Sequence, residues 1–290
     1  MPSLSYLAAA LLALGPIANA TLLTREQGEF CDSQPDADIL ALHEQLSKDE
    51  SRLTRRDTGE RISLETWVHV IATNQTKEGG WLTVSLCFHV PFCLCMPYLC
   101  GIRLRCSNRI FLEQEAEIDS QMKVLNNAFA PSNLTFNLNG TTWNENASWA
   151  MHPKHFEMDY KTKLHKGTSR TLNLYYLPGI HDGLGGFCRF PGIYTNRGEE
   201  LARDGCVIGS FTLPGNPGVL GMVTVHEVGH WFGLLHTFHG GCNEEGGDFV
   251  ADTPAEASAN NLDECPVGRD TCPDLPGLDP VDNYMDYSGE

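Results

Sequence analysis

The sequence predicts an α+β fold, a twisted mixed β-sheet with helices packed on it, followed by an irregular subdomain that disulfides and metal must hold. Three observations carry this. Alternating, β-branched segments are interleaved with segments of helical period between Ile62 and Leu213, the pattern of helices on a sheet. Beyond His239 periodicity fades into Gly, Asp, Pro and Cys, so that stretch buries little apolar area. The 290 residues, 41% hydrophobic and 20% charged, have an ordinary globular composition and length enough for a substantial core.

Taken in order, Leu4 to Leu14 is a short apolar run that leads through Gly15 and Pro16 to Ala18-Asn19-Ala20. That is the pattern of a secretory signal over 1–20, cut after Ala20, although the usual basic start is missing. The run is too short for a membrane anchor, which needs about 20 apolar residues. Four sequons agree with export: Asn74-Gln-Thr76, Asn133-Leu-Thr135, Asn139-Gly-Thr141 and Asn146-Ala-Ser148. Residues 21–56 are polar, contain Cys31, place Ile39, Leu40 and Leu46 at helical spacing within Ala37 to Leu46, and close on the dibasic Arg55-Arg56. They are either a removable pro-segment or an ordinary N-terminal helix.

Ile62 to Ile71 alternates and is β-branched, hence a strand. Ile118, Met122, Leu125 and Phe129 repeat at helical period, and Asn133 to Asn137, Leu172 to Leu177 and Cys206 to Leu213 are expected strands. Residues 84–109 do not belong to this pattern. They hold five of the 11 cysteines, between Gly79-Gly80-Trp81 and the helix at Ile118. A membrane span there is rejected, because it would sit inside an exported domain with two prolines at its middle. A cysteine-rich hairpin and a translated intron remain; the intron is preferred, since Val84-Ser85 and Ser107-Asn108-Arg109 can be encoded by splice-donor-like and acceptor-like sequences.

The formal net charge of −17 argues against a nucleic-acid partner, which needs a basic surface. The chemistry lies in His226-Glu227-Val228-Gly229-His230-Trp231-Phe232-Gly233-Leu234-Leu235-His236, an HExxHxxGxxH pattern. On a helix, His226 and His230 stand one turn apart on one face, so both imidazoles can reach one ion. Gly233 lets the chain turn out of the helix and bring His236 as the third ligand. Three histidines leave the fourth zinc position open, the arrangement of a catalytic site, and Glu227 is placed to take a proton from a zinc-bound water. Asn283-Tyr284-Met285-Asp286-Tyr287 follows at the distance of a Met-turn, with Met285 as its methionine. These motifs divide the chain into an N-terminal catalytic subdomain, 57–236, and a C-terminal subdomain, 237–290.

With both motifs, the chain resembles the pappalysin-like metzincins, the fungal secreted metalloproteases and ulilysin among them. The resemblance is carried further by Gly247 to Pro254, Asp270 to Pro273, Gly277 to Pro280 and Asp204 to Gly215. It implies a secreted zinc endopeptidase acting on proteins or peptides, with no membrane anchor once the signal is cut. It also implies that Tyr287 stabilises the tetrahedral intermediate and that Cys242 and Cys272 form a disulfide. Cys31 sits where the family carries a zymogen cysteine, although Asp32 replaces the glycine that follows it there. The family continues past the Met-turn with a further cysteine and a helix, so a truncation after Glu290 is expected, with Cys265 lacking its partner. Among the cysteines outside 84–109, Cys188 and Cys206 flank a short loop before the cleft strand and are expected to pair. The acidic, glycine-rich stretch from Cys242 to Pro254 suits calcium, through Asp248, Asp252 and Thr253, and the resemblance favours that ion. Two other outcomes stand beside the peptidase: an inactive binding protein on the same fold, which intact Glu227 speaks against, and a non-functional truncated product.

Overall fold

Strand β1 (Ile62–Ala72) lies inside a five-stranded sheet and is buried on both of its faces from Val68 onward. The computed structural model describes residues 31–50, 61–76, 79–80, 116–181, 183–192, 198–216, 218–243, 247–259 and 265–288. The expected signal sequence, the Arg55-Arg56 pair and the cysteine-rich stretch 84–109 lie outside the described residues. Helix α1 (Ala37–Glu50) precedes β1, and residues 116–129 form helix α2. There follow β2 (Leu134–Glu145), α3 (Ala147–Met151), α4 (Glu157–Leu164), β3 (Thr171–Leu177), β4 (Gly186–Cys188), α5 (Gly198–Ala202), β5 (Cys206–Gly209) and α6 (Met222–Trp231). Among the described residues no helix is long and apolar enough to cross a membrane.

The strands run in the order β2-β1-β3-β5-β4, all parallel except β4, which is antiparallel to β5. Val68, Val70, Leu172, Leu174 and Ile208 meet Leu125 of α2 and Val225 and Val228 of α6 on one face. Ile71, Tyr175, Leu177 and Val207 meet Trp149 of α3 and Tyr160 of α4 on the other. Burying one such side chain contributes about 1.5–3 kcal/mol, so these clusters dominate the stability of this half.

Two expected strands differ in length. β2 continues to Glu145, passing a bulge where Thr66 pairs with Leu138 and Trp67 with Gly140, so that Asn139 is the extra residue. β5 stops at Gly209 rather than at Leu213. Ser210–Thr212 form a 3₁₀ turn, because the Thr212 hydroxyl donates to the Gly209 carbonyl (2.8 Å) and Asn216 Nδ2 collects three carbonyls of the turn. Beyond Trp231, helix and strand are absent among the described residues. There the chain is held by the Cys242–Cys272 disulfide and by Arg269, which bonds to Glu256 at 2.5 Å and pairs with Asp279 at 3.1 Å.

Candidate metal centre

Helix α6 ends where the site begins. Gly233 adopts φ +98°, its N–H donates to the His230 carbonyl and the Leu234 N–H donates to the Gly229 carbonyl. This is a Schellman stop, which a glycine at C′ accommodates without strain, and it turns His236 back towards the helix. The Nε2 atoms of His226, His230 and His236 then lie 3.1–3.2 Å from one another.

Those separations need a cation. His226 Nδ1 donates to the Tyr284 carbonyl (2.6 Å) and His230 Nδ1 donates to the Leu234 carbonyl (2.7 Å). A neutral imidazole with its proton on Nδ1 has only a lone pair on Nε2. Two lone pairs at such a distance repel unless a positive ion lies between them. Burial holds the rings neutral, pushing His226 down to about 4 and His230 and His236 well below the ordinary histidine value. Tetrahedral zinc with bonds of about 2.0–2.1 Å spaces its nitrogens by about 3.4 Å, close to what the three rings present. The residues fit zinc.

Beside the three rings lies Cys31, whose Sγ is within 4.8 Å of the ligand atoms of all three histidines. Cys31 comes from the segment before α1 and is bridged in parallel to Gly186 at the free side of β4. Burial and the nearby Glu227 push its thiol well above the ordinary value. Two residues on, Ser33 donates from Oγ to Glu227 Oε2 (3.2 Å) and accepts at the same atom from the Cys188 N–H (2.8 Å). Glu227 is fully buried and burial raises its carboxyl to about 8, against the lowering bonds from Cys31 and Ser33. Its Oε1 has no hydrogen-bond partner among the described residues.

The loop after Pro280 closes the site from below. Met285 is buried, and a Cβ placed on Gly229 would meet its sulfur at 2.3 Å, so the helix is notched where the methionine fits. The Thr237 N–H donates to the Met285 carbonyl (3.3 Å) and Asn283 Oδ1 accepts from the Met285 N–H (2.9 Å). The Tyr287 ring lies 4.9 Å from His236 and 5.6 Å from His226, and its hydroxyl donates to the Cys31 carbonyl (3.2 Å). Phe238 stacks on His236 at 4.8 Å.

The expected residues His226, Glu227, His230, His236, Met285, Tyr287 and Cys31 therefore meet at one place. Cys188–Cys206 joins β4 to β5, with the Cys206 sulfur 3.5 Å from the Glu227 carbonyl, and Cys242–Cys272 forms as expected. Cys265 is a free, exposed thiol. Asp248, Asp252 and Thr253 line a separate pocket of about 630 Å³ with Ser47 of α1 and Asp274. Burial raises the Asp248 carboxyl, whose oxygen accepts from the Val250 N–H. Sequence reasoning missed Ser33, the notch at Gly229 and the Tyr284 carbonyl. Only the glycine inside the motif could have signalled one of them.

The model of the M43 peptidase family, described as pregnancy-associated plasma protein-A, matches residues 217–290. An extracellular metalloprotease of Pyricularia oryzae is 41% identical over 255 residues, 87% of this chain and 76% of that protein. A second, from Podospora anserina, is 39% identical over 269 residues, 88% of this chain and 80% of its own. Mature mirolysin of Tannerella forsythia, solved with a cleaved peptide, shares the fold at a TM-score of 0.56 and 24% identity, over 80% of this chain and 85% of its own. A promirolysin mutant superposes with a TM-score of 0.59 at 21% identity, over 90% of this chain and 87% of its own. The chain belongs to the pappalysin, or M43, family of extracellular zinc metalloendopeptidases.

Proposed function

We propose that His226, His230 and His236 hold the catalytic zinc of this peptidase, and that Glu227 moves the protons of peptide-bond hydrolysis. The observation that carries this is the convergence of three Nε2 atoms within 3.2 Å, two of them bearing lone pairs by virtue of their Nδ1 bonds. Bound there, zinc supplies Lewis acidity to the attacking water and the scissile carbonyl. Glu227 Oε1, without a hydrogen-bond partner among the described residues, takes the proton of the attacking water and later returns it to the leaving amine. Tyr287 donates to a peptide carbonyl beside the histidines, which is the bond that steadies charge developing on a substrate carbonyl. The substrates are proteins or peptides. Met285 supports the histidines from below.

Residues 21–56 act as a pro-segment. Cys31 faces the metal, Ser33 engages the base, and the Tyr287 hydroxyl is taken up by the Cys31 backbone, so three working groups are occupied at once. Cleavage at Arg55-Arg56 releases them. The signal over 1–20 directs export, the sequons carry glycans, and calcium binds through Asp248, Asp252 and Thr253.

Zinc content and casein hydrolysis, measured on dibasic-cleaved protein with and without chelator, test the assignment. Glu227→Ala should keep zinc and lose about 10²–10⁴ in turnover, and His236→Ala should lose both. One tightly bound zinc in His236→Ala would remove His236 from the ligand set.

A further inference from the structure

Three of the four sequons are neighbours in the chain, and the fold brings the fourth beside them. Asn133 immediately precedes β2, Asn139 is the bulge residue within it, and Asn146 caps α3 directly after it. Asn74 is brought to the same end of the strand, since the Asn146 N–H donates to the Ala72 carbonyl (2.8 Å) and Gln75 bonds to Glu145 (3.1 Å). All four therefore follow one edge of the sheet, and among the described residues β2 is paired only with β1.

Their side chains also differ from those of their neighbours. The other asparagines of β2 donate from Nδ2: Asn137 to Ser63 Oγ, and Asn144 to the Val70 carbonyl and Thr142 Oγ1. None of the four sequon asparagines donates from Nδ2 to a described residue. Asn74 and Asn146 use only Oδ1, as acceptor from the Thr76 N–H and hydroxyl and from the Trp149 N–H. Asn74, Asn133 and Asn139 are exposed and Asn146 half-buried. The bulge has a specific part in this. Leu134, Phe136 and Leu138 pack towards the core, as does Trp143 beyond the bulge, so the extra residue reverses the alternation after it, and Asn139, already on the outer face, is exposed and has no partner on β1.

We propose that Asn74, Asn133, Asn139 and Asn146 carry N-linked oligosaccharides that together cover the edge of β2 that faces no strand among the described residues. At attachment the Asn Nδ2 forms a bond to C1 of a lipid-pyrophosphate-linked oligosaccharide. The C1–O bond to pyrophosphate breaks, the lipid pyrophosphate leaves with that electron pair, and the amide loses one proton. The strand of 12 residues spans about 40 Å at ~3.3 Å per residue. Glycans at both ends and the middle leave no long stretch of that edge's N–H and C=O groups open to another chain, the hazard of a bare edge. β4, which meets Cys31 and underlies Glu227, is the opposite edge, so substrate access is unaffected.

The proposal rests on export of this chain through a glycosylating compartment, and its test separates it from the peptidase assignment. The full chain is secreted from a glycosylating host and site occupancy is read by peptide mass spectrometry. Glycan at all four asparagines is expected, Asn139 included. A bare Asn139 in secreted protein overturns the proposal. The folded glycoprotein is next trimmed with an endoglycosidase under native conditions, and Asn139→Gln is prepared alongside. Both should form soluble aggregates severalfold faster by light scattering than the untreated protein, while casein hydrolysis per molecule of monomer stays the same. Equal aggregation rates with and without glycan would overturn the shielding role whether or not the chain proves to be a peptidase.

Discussion

The two halves of the site rest on different physics. His226 and His230 stand on a helix whose other side is packed into the apolar cluster with Val68, Leu174 and Ile208. His236, Met285 and Tyr287 stand on chain without helix or strand, tied by one disulfide and by Arg269 between Glu256 and Asp279. The first half is one contiguous apolar core, held by many contacts at once. The second has few apolar contacts, so its order depends on a small number of polar and covalent ties. The difference predicts that damage to the loop half removes the metal before it removes the fold.

Arg269→Ala is expected to have the largest effect, about 3–5 kcal/mol, because it leaves the buried carboxylates of Glu256 and Asp279 without a counter-charge. Residues 247–288 should become protease-sensitive and zinc should dissociate, while the sheet's circular dichroism persists. Leu174→Ala, at a side chain with no exposure, should cost about 2–5 kcal/mol, and here sheet and metal should be lost together. If chemical denaturation shows the same coincident loss in both variants, the halves are one cooperative unit and the contrast fails.

The third effect is one of pH, confined to the sheet half. His69 is buried on β1 between Thr142 Oγ1 (2.8 Å) and Asn173 Oδ1 (3.0 Å). Burial pushes it down to about 4, and Asn173 pulls it up while His165 and Lys166 press it down. Since the unfolded chain binds the proton more tightly, the contribution is present in full above about 6.5. It is lost as pH falls from there towards 4, for a total of about 3 kcal/mol. Urea midpoints at pH 7 and pH 4.5 measure it, and His69→Gln should flatten the dependence. The smallest effect is expected at the joint. Gly229→Ala should cost about 1–3 kcal/mol by forcing Met285 away from the helix, with weaker zinc retention and an unchanged sheet. Unaltered zinc dissociation in that variant would show that Met285 does not support the histidines.

The same division decides what could be read from the sequence. β1, β3, α2 and α6 bury apolar faces, so their periods appear in the residues themselves, and the histidine spacing announces the metal. Helix α4 was invisible because its buried residues include Glu157 and Lys161, which satisfy each other and Arg189 rather than forming an apolar stripe. The end of β5 at Gly209 depends on Asn216, seven residues away, and Ser33 reaches Glu227 only across 194 positions of chain. No local pattern encodes such contacts. The edge position of the sequons was equally hidden, since pairing order is a property of the whole sheet.

The bond from His226 to the Tyr284 carbonyl joins groups 58 residues apart. Synthesis runs from the N-terminus and domains fold as they emerge. At the moment α6 can pack on the sheet, the carbonyl that fixes the tautomer of His226 has not yet been made. A nascent chain thus acquires its scaffold first and its metal-ready geometry only after the 283–287 loop is translated. Polarity of synthesis thereby acts as a delay on proteolytic competence, one that would operate before any pro-segment has to restrain it.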